Sequence, residues 1–439
     1  MTKIKKSAIL LVTLLFIGNF DKFLQAAEFK ISGNYRLNDY LYDEQTRFTG
    51  PLYERSTYIL QQATLNTSVK EGITTGVVQL FLNSLANGNQ PEGGYIWGSN
   101  GGYSSNLQTG PLVHQAYLDM QTPIGNLYAG RRLIKLGHGI ILNDTADNIA
   151  FHLPVGFIEF DLAYLKLQEP DSVNYGNNDD YDRNGMIFNI NLKLNETDSM
   201  GFFYASENQR ATGLMIDDTH VLAVGFSGDA RIAGIDWSAE FDTLSGFDGD
   251  FRVNLPRAGM NIFMSGSMPV RFGRVGLDIL RIRGNTLGET PFNSLAGDFV
   301  GGNGILLNDQ TRFGGGIDLN HGMADMADPS GYLSLLSHNF QSVKGSITLN
   351  PIKKLIIGME FFPFVTVIDR GVLGLTNEKI GMEVNLTGTY PIIGDFFKVS
   401  GGVAYFKAGD AMQEIAAKTG ISSVADNVIK SRLSLLYTF

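Results

Sequence analysis

Apolar and polar side chains alternate along most of the chain after residue 28. One segment of this kind sets apolar against polar positions as follows: Ile235, Trp237, Ala239 and Phe241 against Asp236, Ser238, Glu240 and Asp242. Because successive side chains of a strand point to opposite faces, such segments have one apolar face and one hydrated face. The pattern predicts strands of a sheet that separates hydrocarbon from water.

The connections between these segments alternate between short turns and long polar stretches. The long stretches are residues 43–55, 84–111, 171–184, 245–257, 286–339 and 408–427. Short turns on one rim and long loops on the other are typical of transmembrane barrels. The sequence therefore predicts an all-β fold, a closed antiparallel transmembrane β-barrel of about 18 strands with short periplasmic turns and long extracellular loops. About 16 strands is the alternative, because residues 137–156 and 286–339 could each gain or lose a hairpin. Residues 286–339 are also expected to cap or plug the outer mouth.

The last segment, from Val428 to Phe439, alternates in the same way and ends on an aromatic residue. It resembles the C-terminal signature of Gram-negative outer-membrane barrels. That resemblance implies recognition by the barrel-assembly machinery through the last strand. The alternative is an amphipathic edge strand of a soluble sheet.

Composition narrows the classes of function. The chain has 439 residues, a formal net charge of -10 and no Cys. The acidic balance argues against nucleic acid as a partner. The absence of Cys excludes disulfides, thiol catalysis, Cys-ligated zinc and covalently attached haem. After the N-terminus there is no apolar run of the ~20 residues that a transmembrane helix needs.

Residues 1–26 have the pattern of a secretory signal peptide. Lys3, Lys5 and Lys6 form the basic end, an apolar run follows, and Leu24-Gln25-Ala26 is a suitable cleavage site. A retained membrane anchor is the alternative. We expect residues 27–439 to form one domain, the barrel.

A second resemblance lies in the segment from Ala116 to Leu142. It contains Ala116-Tyr-Leu-Asp-Met, Pro123-Ile-Gly-Asn-Leu and Ala129-Gly-Arg-Arg-Leu. The segment is similar to a hairpin of Gram-negative porins, most closely those of the alginate-export-like family of eighteen-stranded barrels. This implies an outer-membrane channel whose basic wall contacts an acidic sugar polymer or an organic anion. Arg132 stands where the family pattern has Gln, which weakens the transfer of lumen chemistry.

The alternation assigns a set of charged residues to the hydrated faces, and these are the candidates for lining a pore. Charged side chains that line a pore determine which solutes pass through it. The predicted pore-lining residues are Lys30, Arg36, Asp119, Arg131, Arg132, Lys193, Asp236, Glu240, Lys398, Lys430 and Arg432. Residues 135–148 are predicted to fold into the pore as a constriction, because Gly137 and Gly139 allow a sharp bend. The constriction residues are Lys135, His138, Asn143 and Asp144. The alternative is that this segment is exposed or continues a strand. The bland alternative is that these charges only solvate the lumen.

Metal and enzyme chemistry have little support in the sequence. Asp180, Asp182 and Asn184 match the start of a calcium loop, but Asn191 stands where a bidentate Glu belongs. An acidic loop tip is the competing interpretation. The histidines are scattered, with neither H-E-x-x-H nor G-x-S-x-G. We predict no catalytic residue and no cofactor, with a hydrolase at the barrel rim as a remote alternative.

These observations favour a porin-like channel in the outer membrane of a Gram-negative bacterium. It would pass small hydrophilic or acidic, sugar-like solutes by passive diffusion or export, with membrane lipid around it. The sequence leaves open whether the barrel is a monomer or a homo-oligomer. The alternative function is a barrel sheath that holds a partner, such as a multihaem electron-transfer protein or a secreted chain, in its lumen. A lumen without infolded loops would favour that alternative.

Overall fold

The computed structural model describes residues 28–43, 56–86, 112–140, 142–168, 183–209, 219–250, 253–284, 339–368, 375–418 and 427–439. The predicted signal peptide and residues 286–338 lie outside these ranges. None of the helices in the described ranges has the length and apolar character to cross a membrane.

The described residues form 18 antiparallel strands in one sheet. The strands are β1 Glu28–Asp43, β2 Ser56–Glu71, β3 Thr74–Ala86, β4 Leu112–Thr122, β5 Gly125–Lys135, β6 Asn143–Val155, β7 Ile158–Gln168, β8 Arg183–Lys193, β9 Ser199–Gln209, β10 Thr219–Ile232, β11 Ile235–Asp250, β12 Val253–Val270, β13 Gly273–Gly284, β14 Asn339–Ile352, β15 Leu355–Val367, β16 Lys379–Ile393, β17 Phe397–Ala408 and β18 Asn427–Thr438. Each strand pairs with the next along the chain, and β1 also pairs with β18. The predicted closed barrel of 18 strands is therefore confirmed.

The sheet closes between its first and last strands. Their register runs from Asn34 opposite Thr438 to Asp43 opposite Ile429. The last residue, Phe439, exchanges two backbone hydrogen bonds with Gly33, both of 3.0 Å. Closure leaves neither strand as an unpaired edge.

One face of the sheet carries large apolar side chains that are exposed, and we call it the outer face. Phe29 is 59% exposed and Leu433 is 50% exposed on this face. The aromatic residues Phe157, Phe272 and Phe396 lie in the short turns of one rim, where an aromatic girdle is expected. The opposite face, the lumen face, carries the polar and charged residues of each strand.

One predicted long connection is almost entirely strand. Residues 245–257 were expected to be a long loop, but β11 continues to Asp250 and β12 begins at Val253. This prediction is wrong because the cross-strand pairing of β11 and β12 continues through Phe247 and Pro256.

The stretch between β17 and β18 contains a short helix, α1 Asp410–Lys418. The Glu414 carboxylate on this helix accepts hydrogen bonds from the backbone N–H groups of Thr376 and Asn377, with distances of 2.8 to 3.0 Å. Its first turn is buried at Ala411. The helix is therefore fixed to the connection between β15 and β16.

Candidate functional site

The connection between β5 and β6 is a compact turn, residues 136–140 with Leu142, which we call the infolded turn. The Leu136 N–H donates to the Leu142 carbonyl at 2.9 Å, and the Gly139 N–H donates to the Leu136 carbonyl at 2.8 Å. Gly137 and Gly139 have φ of 54° and 97°. These positive values favour glycine, so the two glycines permit the tight reversal.

The infolded turn rests on an apolar part of the lumen face. Leu136, Ile140 and Leu142 are each at most 2% exposed. They belong to or lie beside a buried cluster whose wall members are mostly small: Ala146, Ala150, Ala163, Ala205 and Ala223, with Leu165, Ile187 and Phe203. Small residues on β6 to β10 leave space that the turn fills. Burial of three such side chains contributes about 1.5–3 kcal/mol each.

Polar contacts tie the tip of the infolded turn to β10, β11 and β12. The His138 N–H donates to Glu240 Oε2. The His138 ring lies edge-on to Phe263, with centroids 5.5 Å apart, and its Nε2 lies 3.9 Å from Asp229 Oδ1. A Cβ atom at Gly137 would collide with the same Glu240 carboxylate, so only glycine fits there. The turn is therefore anchored to the wall on several neighbouring strands.

Three polar side chains below this anchor are almost fully buried. Glu240 is 2%, Asp242 is 0% and Asn261 is 1% exposed. They lie within hydrogen-bonding reach of one another, since the Asp242 carboxyl contacts the Glu240 carboxyl on one side and the Asn261 amide on the other. The described ranges contain no group of three or more His, Cys, Asp or Glu side chains placed to hold a metal ion.

Arg132 is held in a defined orientation on the lumen face of β5. Its Nε donates to Asn148 Oδ1 at 3.1 Å, and its guanidinium lies 4.2 Å from the centroid of the Tyr128 ring. Asn148 is fixed in turn, because its amide donates to the carbonyls of Gly130 and Ala146. No carboxylate of the described residues forms an ion pair with Arg132. A guanidinium fixed in this way can form a bidentate pair of hydrogen bonds with a carboxylate.

The carboxylate of Asp161, near Arg132, already has two hydrogen-bond partners. Asp161 Oδ1 lies 2.7 Å from His152 Nδ1, and Asp161 Oδ2 accepts from the Asn189 amide at 3.1 Å. Asp119, on β4, has one buried carboxylate oxygen without a partner in the described ranges. Arg132 therefore lies near two carboxylates, neither of which forms an ion pair with it.

Most of the predicted pore-lining residues lie at lumen-face positions, several of them in ion pairs. Lys30 pairs with Glu28 at 2.8 Å, Lys193 with Glu159 at 2.6 Å, and Lys398 with Asp395 at 3.9 Å. Asp236 contacts Arg231 and Arg274. Arg432 is half-buried on β18. The side chains of Arg36 and Lys430 lie outside the described part of the structure.

Arg131 does not line the lumen, so its prediction is wrong. It lies opposite Ala116 and Asp147, on the face that carries the exposed Ile149. Its Nη1 lies 4.0 Å from Asp147 Oδ1. Neighbouring residues of a strand cannot both face inward, and Arg132 holds the inward position.

The predicted constriction was too long at its C-terminal end. Of its residues, His138 lies in the infolded turn, whereas Lys135 ends β5 and pairs in register with Asn143. Asn143 and Asp144 begin β6, and their side chains lie outside the described residues. Residues 143–148 are therefore wall rather than constriction.

The predicted calcium loop is only partly described. Asp180 and Asp182 lie outside the described residues, and Asn184 belongs to β8. The side-chain oxygen of Asn184 accepts a hydrogen bond from the Tyr164 hydroxyl at 2.9 Å, and Tyr164 is exposed on the outer face. Asn184 is thus part of the wall and does not extend the acidic tip.

Sequence reasoning missed the amide row on β2, β3 and β4. Gln79 donates to Asn66 Oδ1 at 2.6 Å, and Gln115 donates to Gln79 Oε1 at 2.9 Å. The row continues to β5, where the Leu133 N–H donates to Gln115 Oε1 at 3.1 Å. The sequence does contain a signal for this row, because Asn and Gln occupy alternate positions of these strands. The prediction of pore-lining residues considered only charged side chains and so did not include them.

Comparison with known proteins places the fold. A scan against protein-family models finds no match, and neither does a search of curated proteins. Solved structures do match over nearly the whole chain. Acinetobacter baumannii OccAB1 has a TM-score of 0.55 and 11% identity, over 94% of this chain and 96% of that one.

Two Pseudomonas aeruginosa proteins match in the same way. OccK2 (OpdF), solved in complex with glucuronate, has a TM-score of 0.55 and 11% identity, over 94% of this chain and 98% of that one. OpdQ has a TM-score of 0.53 and 14% identity, over 94% and 98%. These proteins are outer-membrane porins with 18-stranded barrels, and at such low identity the likeness establishes a common fold. The resemblance to the alginate-export-like family stays a prediction.

Proposed function

We propose that the protein is an outer-membrane channel through which small hydrophilic solutes diffuse passively, with a preference for small carboxylates such as sugar acids. The observation that carries the proposal is the infolded turn, which reaches from β5 across the lumen face to Glu240 on β11. A segment anchored inside a barrel narrows its cross-section and selects solutes by size. The porin fold of the structural neighbours supports the same function.

The preference for carboxylates rests on Arg132. Its guanidinium is oriented by Asn148 and Tyr128 and has no ion-pair partner among the described carboxylates. A solute carboxylate would supply the missing partner. Glucuronate, bound in the OccK2 structure, is a solute of this chemical class.

The experiment is transport into liposomes that carry the purified protein. We expect liposome swelling and single-channel conductance, with a sugar acid entering faster than a neutral sugar of similar size. Arg132→Gln should reduce the sugar-acid rate at least about threefold, while the neutral-sugar rate changes less, since one charge-assisted hydrogen bond is removed. Arg131→Gln, a change at the adjacent outer-face residue, is the matched control and should leave both rates unaltered.

Two results would overturn the proposal at different levels. Absence of both swelling and conductance would remove the channel function. Equal effects of Arg132→Gln on acid and neutral sugars would remove the carboxylate preference and leave a general diffusion channel. The sheath alternative calls for a lumen without infolded segments, and the infolded turn weighs against it.

The location proposed for the channel is the outer membrane of a Gram-negative bacterium. The aromatic turns of the short-turn rim and the apolar outer face support this location. We further propose residues 1–26 as the signal peptide that directs export.

A further inference from the structure

The outer face carries a groove on β11, β12 and β13, close to the short-turn rim. It has a volume of about 310 Å³. Three rungs of cross-strand neighbours line it: Met268 and Val275; Trp237, Gly266 and Leu277; and Met264 and Ile279. Ile235 also lines the groove. Its lining side chains are apolar except for those of Ser265 and Ser267.

The groove exists because the middle rung has a glycine between two large residues. Gly266 lies directly between Trp237 and Leu277 in register. The indole ring leans over Gly266, so that a Cβ atom there would lie 2.9 Å from the ring carbon Cζ3 of Trp237. Trp237 remains 40% exposed and Leu277 52% exposed, and these two side chains form the walls of the depression.

A cation lies at the rim end of the groove. Arg271 and Phe272 form the turn between β12 and β13, and the Arg271 guanidinium lies 5.0 Å from the centroid of the Phe272 ring. Two other arginines, Arg231 on β10 and Arg274 on β13, both contact Asp236. Among the described residues no carboxylate forms an ion pair with Arg271, and the residue is exposed.

The spacing of the groove and the cation suits one phospholipid molecule. Arg271 follows Met268 by three residues, which is roughly 10 Å along a strand. Phe272 lies beside Arg271 in the turn, as expected of an aromatic side chain at the boundary between headgroups and hydrocarbon, and Trp237 lies deeper along the sheet, opposite Gly266. Met264 and Met268 have flexible thioether side chains that adapt to an irregular ligand such as an acyl chain.

We propose that this groove binds one acyl chain of an anionic phospholipid from the leaflet at the short-turn rim, with the lipid phosphate at Arg271. The inference rests on the membrane location proposed above and is independent of which solute the channel passes. A single basic residue near the headgroups is expected to favour an anionic over a zwitterionic lipid by about fivefold.

The test is quenching of Trp237 fluorescence by lipids with brominated acyl chains. Trp97→Phe leaves Trp237 as the single tryptophan, because the chain has 2 Trp. The protein is reconstituted in bilayers that contain brominated phosphatidylglycerol or, at the same mole fraction, brominated phosphatidylcholine. We expect phosphatidylglycerol to quench at about fivefold lower mole fraction.

Two variants separate the headgroup from the groove. Arg271→Gln should abolish the preference for phosphatidylglycerol, whereas Arg274→Gln, whose arginine contacts Asp236 on the lumen face, should retain it. Gly266→Val should reduce quenching by both lipids, since it fills the groove. Gly388→Val, at a glycine with no atom within 4 Å of a built Cβ, is the matched control.

Equal quenching by the two lipids, unaffected by Arg271→Gln, would overturn the proposal. So would quenching by neither lipid together with disulfide-linked dimers of Met268→Cys, because the groove would then be an interface with a second copy. The chain has no native Cys, so any cross-link comes from the introduced residue. A protein that conducts but lacks the lipid preference overturns this inference alone, while one that neither inserts nor conducts overturns the proposed function.

Discussion

The ring of Phe439 occupies the space that a side chain at Gly33 would need. A Cβ atom built on Gly33 would lie 2.7 Å from Cζ of Phe439 and would also collide with the Thr64 carbonyl oxygen. The same two residues exchange backbone hydrogen bonds across the seam of the barrel. The absence of a side chain at residue 33 thus allows the last residue to dock.

Gly33→Val should weaken the closure of the barrel. Because backbone and ring atoms both crowd the new side chain, we expect a loss of about 1–3 kcal/mol in the free energy of unfolding. The measurement is denaturant unfolding of the reconstituted protein, followed by the loss of the folded band in unheated gels. Gly388→Val, where the built Cβ meets no atom, should unfold like the original protein. Equal stability of the two variants would contradict the tight seam.

Glu240→Ala should release the infolded turn. It removes the acceptor of the His138 N–H and leaves that donor buried, a change that costs about 1–3 kcal/mol. We expect larger and noisier single-channel conductance. Glu196→Ala, in an exposed turn, serves as the control. An unchanged conductance trace for Glu240→Ala would mean that the turn is not the narrowest part of the lumen.

Lys344→Met should destabilise the barrel, because Lys344 is the cation between two lumen-face carboxylates. Its Nζ lies 2.6 Å from Asp278 Oδ2 and 3.9 Å from Glu360 Oε1, and its side chain is 14% exposed. Loss of one partner of a buried ion pair costs about 3–5 kcal/mol. Denaturant unfolding measures the effect, and Lys344→Met with Asp278→Asn should recover part of it.

The control for that prediction is Lys398→Met. Lys398 pairs at 3.9 Å with Asp395, whose side chain is 97% exposed. An exposed pair of this kind contributes little, about 0–1 kcal/mol. If both lysine variants unfolded at the same denaturant concentration, the Lys344 cluster would have no special role in stability.

The turn between β8 and β9 should lose stability in acid. The pKa of Asp198 is lowered from its ordinary value because the Arg231 backbone N–H and the side chains of Asn195 and Thr197 donate hydrogen bonds to its carboxylate. A lowered pKa in the folded state adds stability at pH values above the ordinary pKa of 3.8, and that contribution is lost as the pH falls through the lowered pKa.

Asp198→Asn should therefore reduce the difference in thermal stability between neutral pH and about pH 3, where the carboxylate of the unfolded chain is protonated. The melting temperature of the reconstituted protein at the two pH values is the measurement. Asp395→Asn, at a 97% exposed turn residue, should leave the difference as it is. The same pH difference in all three proteins would contradict the role of Asp198.

The alternation of apolar and polar residues was enough to predict the strands of the barrel wall, because one face of a membrane barrel contacts lipid and the other contacts water. It placed residues such as Phe29 and Leu433 on the outer face, where both are exposed. The same rule misplaced Arg131, since two consecutive arginines cannot both obey it. Alternation determines a face only after the strand register is known.

The infolded turn was predicted from Gly137 and Gly139, but the wall residues against which it packs were not predicted. The alanines on β6 to β10 lie up to 77 residues apart in sequence, as from Ala146 to Ala223, and meet only once the strands pair. The anchor at Glu240 depends on contact between residues 138 and 240, which no local pattern contains. Long-range placement inside the lumen was therefore beyond the sequence.

The hairpin of β11 and β12 has a consequence for the outside of the cell. Strand β11 has 16 residues, so it is roughly 53 Å long. At a tilt of ~40° it rises roughly 40 Å, whereas the apolar band of such barrels is about 25 Å tall. In the proposed orientation the end of β11 at Asp250 and the start of β12 at Val253 lie outside the apolar band. An antibody or a phage tail approaching the cell would meet there two paired strands.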